Sequence, residues 1–171
     1  MNRVAQNEKN KDIYSKEVLI SREEINRRVE QLGREISQDY EGRELHLVGV
    51  LNGAFMFLAD LARHLSIPCQ ICFLQASSYK EQLVSTGKVK LMHNLDLSGK
   101  DVLVVEDIFD TGLTLKHIRE DLNMQKPASL EICALLNKKI ADKMSIYVKY
   151  IGFEIENRFV VGYGLDHAEK Y

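Results

Sequence analysis

Glu106, Asp107 and Asp110 put three carboxylates just ahead of Thr111, Gly112 and Thr114, and this run carries the chain's most specific chemistry. It follows Val102-Leu-Val-Val105, a short β-branched apolar stretch that predicts a fully buried strand of a parallel sheet. Residues 110–114 then read as the loop at the strand's carboxyl end, the edge where open α/β sheets bind ligands. Thr111 and Thr114 supply hydroxyls, and Gly112 lets the backbone come close. Both features sit where a helix begins and its free N–H groups favour an anion, so the expectation is a phosphate cradle. Glu106 and Asp107 accept hydrogen bonds only, which suits the vicinal hydroxyls of a sugar. Asp110 stands between cradle and sugar, where a carboxylate can take a proton from a reacting group. A lone acidic residue at a strand end would be read as solvating the loop; three carboxylates before a Thr-Gly-x-Thr turn favour the chemical reading.

The flanking elements must hold this loop in place. Ser21-Arg-Glu-Glu24 is a capping box, and Ile25, Val29, Leu32 and Ile36 recur at helical spacing, giving an amphipathic helix over 22–38. A strand is expected over 45–51 and a helix over 55–65 that is apolar on most sides and hence largely buried. Strands follow over 68–74 and 89–95. The polar stretch 75–88 between them has the length of a functional lid, so the pair reads as a hairpin with a mobile tip. The pattern then gives a helix over 113–122, a strand over 130–136, and short strands at 150–152 and 159–161. This alternation implies an α/β fold, a mainly parallel twisted sheet with helices on both faces. Right-handed crossovers would bring the carboxyl ends of strands 45–51, 102–106 and 130–136 to one edge, where Leu51, Glu106 and Lys138 meet. No G-x-x-x-x-G-K-[ST] loop is present, and Gly162-Tyr-Gly164 lacks the third glycine of a dinucleotide fingerprint.

At 171 residues, 45% hydrophobic and 28% charged, the chain fits one globular domain, 1–171. A net charge of −2 gives no general attraction to nucleic acid or to an anionic membrane. Met1 to Lys11 is polar, which predicts a flexible tail and neither a signal peptide nor an anchor. Cys69 and Cys72 match a redox or metal spacing. In a strand an offset of three puts them on opposite faces, and no second ligand pair completes a site, so reduced cysteines in a cytoplasmic protein are expected.

The segment 102–115 resembles the phosphoribosyl diphosphate signature of the phosphoribosyltransferases. Its Glu-Asp-Ile-x-Asp-Thr-Gly form is similar to that of the purine salvage branch, the hypoxanthine-guanine phosphoribosyltransferases especially. The likeness extends through Leu51-Asn-Gly53, Ser77-Ser-Tyr79, Lys138 and Arg158-Phe-Val-Val-Gly-Tyr-Gly-Leu-Asp166. It implies the type I phosphoribosyltransferase fold with a small hood, and transfer of phosphoribosyl to hypoxanthine or guanine with release of pyrophosphate. By this resemblance Glu106, Asp107, Ile108, Asp110, Thr111, Gly112, Leu113 and Thr114 hold the donor's ribose and 5′-phosphate, with Asp110 catalytic. Asn52 and Gly53 fall on the pyrophosphate turn. The family often has a Lys at the second position and a cis peptide before it. Asn52 departs from that pattern, so a backbone role or a plain strand–helix turn stands beside a side-chain role.

Ser78 and Tyr79 match the lid. Lys138 matches the donor to the exocyclic oxygen of a 6-oxopurine, with Lys139 as the competing candidate. Phe159 resembles the ring stacked on the base, and the Val160 backbone reads the purine edge. Asp166 matches a residue that orients a metal-bound water, and Mg2+ is implied with Glu106, Asp107 and Asp166 as its carboxylates. The family usually continues past Tyr171 with an Arg that touches pyrophosphate; Arg158 or Lys80 are the substitutes at hand. A homodimer or homotetramer is implied. The rivals are the same class acting on xanthine and an RNA-binding regulator of the same fold, the latter disfavoured by the −2 charge and the lack of a basic stripe.

Overall fold

The computed structural model describes residues 18–78, 89–92, 94–141 and 144–165. Its nine elements among these residues run α1 (Arg22–Asp39), β1 (Leu45–Leu51), α2 (Phe55–Arg63), β2 (Cys69–Ser78), β3 (Val89–Met92), β4 (Asp101–Phe109), α3 (Leu113–Met124), β5 (Ser129–Lys139) and β6 (Tyr150–Glu156). They form one six-stranded sheet of order β3-β2-β1-β4-β5-β6. All neighbours are parallel except β2 and β3, the antiparallel hairpin at one edge.

The central strands are apolar runs because both of their faces are covered. Leu45, Leu47, Leu103, Val105, Cys133 and Leu135 point toward α1 and α2, in a core with Val29, Leu32, Ile36, Phe57, Leu58 and Leu61. Val48, Val50, Val102, Val104, Ile132 and Ala134 point the other way, against Leu115, Ile118 and Leu122 of α3. Helices on both faces are thus as expected. So is the start of α1, where Ser21 Oγ accepts from the Glu24 amide at 3.2 Å and Glu24 Oε2 accepts from the Ser21 amide at 2.8 Å. Cys69 packs with the first core and Cys72 with the second, on opposite faces of β2, and no cysteine is bridged.

Several expectations need correction. Residues 159–161 form no strand: the chain leaves β6 at Glu156, and only an isolated bridge joins Gly162 to Leu165. α2 is not buried on most sides, since Phe55 is 54% and Met56 41% exposed. Strand β2 runs to Ser78, beyond residue 74, while β3 stops at Met92, short of residue 95. β4 and β5 also run further than their apolar cores suggest. Asp107 joins Glu106 within β4, and Lys138 lies within β5 and not after it. The edge strand β6 is held by α1, whose Arg28 donates through Nη2 to Ile151 O at 2.8 Å and through Nε to Gly152 O at 3.1 Å. Those bonds occupy edge carbonyls that would otherwise be open to pairing. The tail 1–11, most of the lid 75–88 including Tyr79 and Lys80, Asp166 and residues 169–171 lie outside the described residues.

Candidate functional site

The parallel register does most of the assembly. Phe109 of β4 lies beside Asn137 of β5, so Asp110 and Lys138, one residue further on each chain, come together. Lys138 Nζ donates to Asp110 Oδ2 at 2.9 Å, with the lysine side chain 12% exposed and the aspartate 46%. Lys139 points elsewhere and pairs with Glu156 at 3.7 Å.

Past Asp110 the chain turns through Gly112, whose φ of +90° is one that side chains rarely adopt, and α3 begins at Leu113. The first helical bond runs from the Lys116 amide to Gly112 O at 2.9 Å. The amides before it have no partner within the helix and face the loop, a ready seat for an anion. Glu106, Ile108, Phe109, Asp110, Thr111, Gly112, Thr114 and Leu115 line a cavity of about 220 Å³ there. A wider groove of about 450 Å³ lies between α3 and residues 144–146, lined by Lys116, Arg119, Glu120 and Asn123, and contains none of these carboxylates.

Asp107 ties this loop to the next strand over. Its Oδ1 accepts from the Ile108 amide at 2.7 Å. Its other oxygen lies so close to Gly53 that a Cβ there would sit 1.9 Å from it. A side chain there would have to push the Asp107 carboxylate off its bond to the Ile108 amide, so the β1–α2 turn with Asn52 and Gly53 packs directly against Asp107. The Leu51–Asn52 peptide is cis, and Asn52 is exposed. Gly164 closes over the same turn, where a Cβ would lie 2.6 Å from Gly53 O. Tyr163 anchors this covering segment by donating its hydroxyl to Asp60 of α2, and burial with that carboxylate raises its phenol well above the ordinary range. Phe159, 60% exposed, and the half-buried Val160 sit on the segment between β6 and this closure. Ser78 ends β2 opposite Val89.

Two supports were not read from the sequence. The Met144 amide donates to Thr111 O at 3.0 Å and so braces the cradle from the β5–β6 connection. A backbone donor leaves no trace in residue type. The Tyr163–Asp60 bond did have a signal, the tyrosine set between two glycines in Gly162-Tyr-Gly164.

Glu106 is 7% exposed, and its Oε2 has no hydrogen-bond partner among the described residues. Burial first, then the hydrogen bond and charge of Asp107, push its carboxyl well above the ordinary 4.5. Among the described residues no three His, Cys, Asp or Glu side chains gather to cage a metal. The donor set here is two carboxylates, one with a free buried oxygen. That fits a hard cation such as Mg2+, which takes one or two protein carboxylates and completes its shell with water and ligand phosphate.

The buried acid also costs stability. The folded carboxyl keeps its proton at a pH where the unfolded one has lost it, so its contribution is whole below about pH 4.5 and falls as pH rises toward the folded value. Glu106→Gln is accordingly expected to stabilise the ligand-free protein at about pH 8 by on the order of 1 kcal/mol, roughly 2–4 °C in Tm. The gain should vanish near pH 4.5. Thermal melts at the two pH values check it, and an equal shift at both would remove the buried-acid explanation.

The Phosphoribosyl transferase domain matches residues 20–168 of this chain. The chain is 45% identical over 162 residues to the hypoxanthine phosphoribosyltransferase of Salmonella typhimurium, covering 92% of this chain and 91% of that protein. It is 46% identical over 163 residues to the hypoxanthine-guanine phosphoribosyltransferase of Dictyostelium discoideum, again covering 92% and 91%. The crystal structure of a hypoxanthine-guanine phosphoribosyltransferase from Bacillus anthracis, with a HEPES molecule in its active site, superposes with a TM-score of 0.84 at 44% identity and covers 91% of each chain.

Proposed function

The chain belongs to the phosphoribosyltransferase family, and from that premise we propose that it transfers phosphoribosyl from phosphoribosyl diphosphate to hypoxanthine or guanine in purine salvage. The observation that carries this reading is the cluster at one sheet edge: the Lys138–Asp110 pair beside the left-handed Gly112 cradle, with Glu106 and Asp107 leading into it.

In this reading Thr111, Gly112, Leu113 and Thr114 hold the 5′-phosphate with α3's free amides and two hydroxyls. Glu106 and Asp107, with the Ile108 backbone, seat the ribose hydroxyls. The turn at Asn52 and Gly53, which touches Asp107, offers backbone to the pyrophosphate. A purine enters with its exocyclic oxygen toward Lys138, whose ammonium has donors only and so favours a carbonyl over an amine. Phe159, 60% exposed, stacks on the base, and the Val160 backbone reads the base edge. The ring nitrogen bonds to C1 as the bond to pyrophosphate breaks, and Asp110 takes the ring proton. Glu106 and Asp107 would hold Mg2+, which when bound would supply charge neutralisation for pyrophosphate. Asp166, the third carboxylate of the expected set, remains part of the proposal. The chain's own contribution is positioning and electrostatic stabilisation of the developing charge.

Mixing the protein with phosphoribosyl diphosphate, Mg2+ and each of hypoxanthine, guanine, xanthine, adenine and uracil tests this. Pyrophosphate should appear with the first two. Release only with xanthine or uracil would reassign the base, and none with any base would withdraw the activity.

Assembly as a homodimer or homotetramer belongs to the same proposal. Ile71 and Phe73, 48% and 43% exposed on the sheet face that α2 also covers, support it. Light scattering that returned a monomer would withdraw it. A cytoplasmic location is supported by three unbridged cysteines, and no helix of the described residues is long and apolar enough to cross a membrane. Cell fractionation checks that point.

A further inference from the structure

Asp110 is open to water, yet it is not idle. Its side chain is 46% exposed, and one carboxylate oxygen is held at 2.9 Å by Lys138, whose own side chain is 12% exposed. The pair is fixed by strand register, since Phe109 lies beside Asn137 and the two charged residues come next. The proposed function gives these two groups opposite tasks: one donates to the base, the other accepts from it. While they hold each other, the Asp110 oxygen and the Lys138 N–H that face one another are engaged with each other and not with a base.

We propose that the Lys138–Asp110 ion pair is a latch, opened by a purine that offers an acceptor and a proton donor on one edge, and that it keeps Asp110 from activating water when the sugar donor is bound alone. A 6-oxopurine has its exocyclic oxygen next to a ring nitrogen on one edge. With the proton on that nitrogen, the base inserts between the two side chains, giving Lys138 a carbonyl and Asp110 an N–H. One charge-assisted bond is exchanged for two. Adenine presents an amino group where the carbonyl is needed, so Lys138 would lose its carboxylate and gain nothing. Water alone does not open the pair either, because it must compete with a charged, mostly buried partner.

The latch matters because the donor is reactive. With Asp110 free, a water oxygen could bond to C1 as the C1–O bond to pyrophosphate breaks. The water proton would pass to Asp110, and the products would be ribose 5-phosphate and pyrophosphate. Suppressing that reaction until a base arrives is what the latch does.

The inference rests on the transferase reading, and the test separates the two. Wild-type turnover with hypoxanthine checks the reading itself. Pyrophosphate release is then followed with phosphoribosyl diphosphate and Mg2+ but no base. Lys138→Met should hydrolyse the donor at least about tenfold faster than wild type, since a freed general base is worth far more than that. Lys138→Arg, which keeps a cation against the carboxylate, should gain clearly less than Lys138→Met. Adding Asp110→Asn to Lys138→Met should abolish the gain. Circular dichroism melts confirm that each variant is folded, and Lys138→Gln replaces the methionine variant if that one is not. Equal hydrolysis by wild type and the neutral variants would overturn the latch. So would hydrolysis by the arginine variant as fast as by Lys138→Met, or a gain that survives in the double variant.

Discussion

Asp110→Asn lowers turnover with hypoxanthine by on the order of 100-fold or more while phosphoribosyl diphosphate binds within about twofold of wild type. The split follows from where Asp110 stands. It lies after β4 and before the Gly112 turn, so the amides and hydroxyls proposed to hold phosphate belong to its neighbours. Asparagine keeps the shape and one acceptor but cannot take a proton. Losing the charge opposite Lys138 leaves that 12%-exposed ammonium with a neutral partner at 2.9 Å. That change falls on the base side of the site, away from the donor. Steady-state rates with saturating hypoxanthine, beside a calorimetric titration of the donor, read the two effects separately. Unchanged turnover removes Asp110 from the proton-accepting role, and donor binding lost in step with turnover would move Asp110 into the cradle.

How much of this was legible in the sequence depends on what each residue's type encodes. β1 and the apolar halves of β4 and β5 were readable because burial on both faces demands continuous apolar runs. α1 was readable from both ends of its capping box. Strand pairing, by contrast, is made by backbone, and it continues past the last apolar side chain. Hence Asp107 and Lys138 are in strands although residue type suggests loop. That difference is chemically useful, because β4 and β5 stay paired through Phe109 and Asn137 and so carry Asp110 and Lys138 to one place. The failed strand at 159–161 has the opposite cause. Its residues Phe159, Val160 and Val161 are β-prone, but Gly162 at φ +97°, Tyr163 at +54° and Gly164 at +92° turn the chain, and Tyr163 bonds to Asp60 of α2. Tertiary anchoring overrode a local preference. The exposure of Phe55 and Met56 on α2 could not be read at all, since an apolar residue carries no mark of what covers it.

Gly112→Ala is expected to damage fold and donor binding together, and two other glycines show why. At φ +90° an alanine takes a left-handed strain of about 1–2 kcal/mol. Its Cβ would also lie 2.8 Å from the Phe109 ring and 3.2 Å from Met144 Cβ. Phe109 is 5% exposed and cannot swing aside without opening the core beneath α3, which adds about 1–3 kcal/mol of overpacking. The sum is on the order of 3 kcal/mol, roughly 6–12 °C in Tm. Gly42 and Gly99 have φ of +74° and +67° with nothing within 4 Å of a built Cβ. Alanine at either should show the backbone strain alone, on the order of 1 kcal/mol, with donor affinity intact. Met144 also donates its amide to Thr111, so pushing it away moves the cradle itself, and donor affinity in Gly112→Ala should fall by about 100-fold, the loss of two or so charge-assisted bonds. Melts and donor titrations on the three variants separate strain from crowding. If Gly112→Ala melts like Gly99→Ala and binds the donor normally, the crowding at Phe109 and Met144 does not govern the site, and the phosphate seat must lie elsewhere.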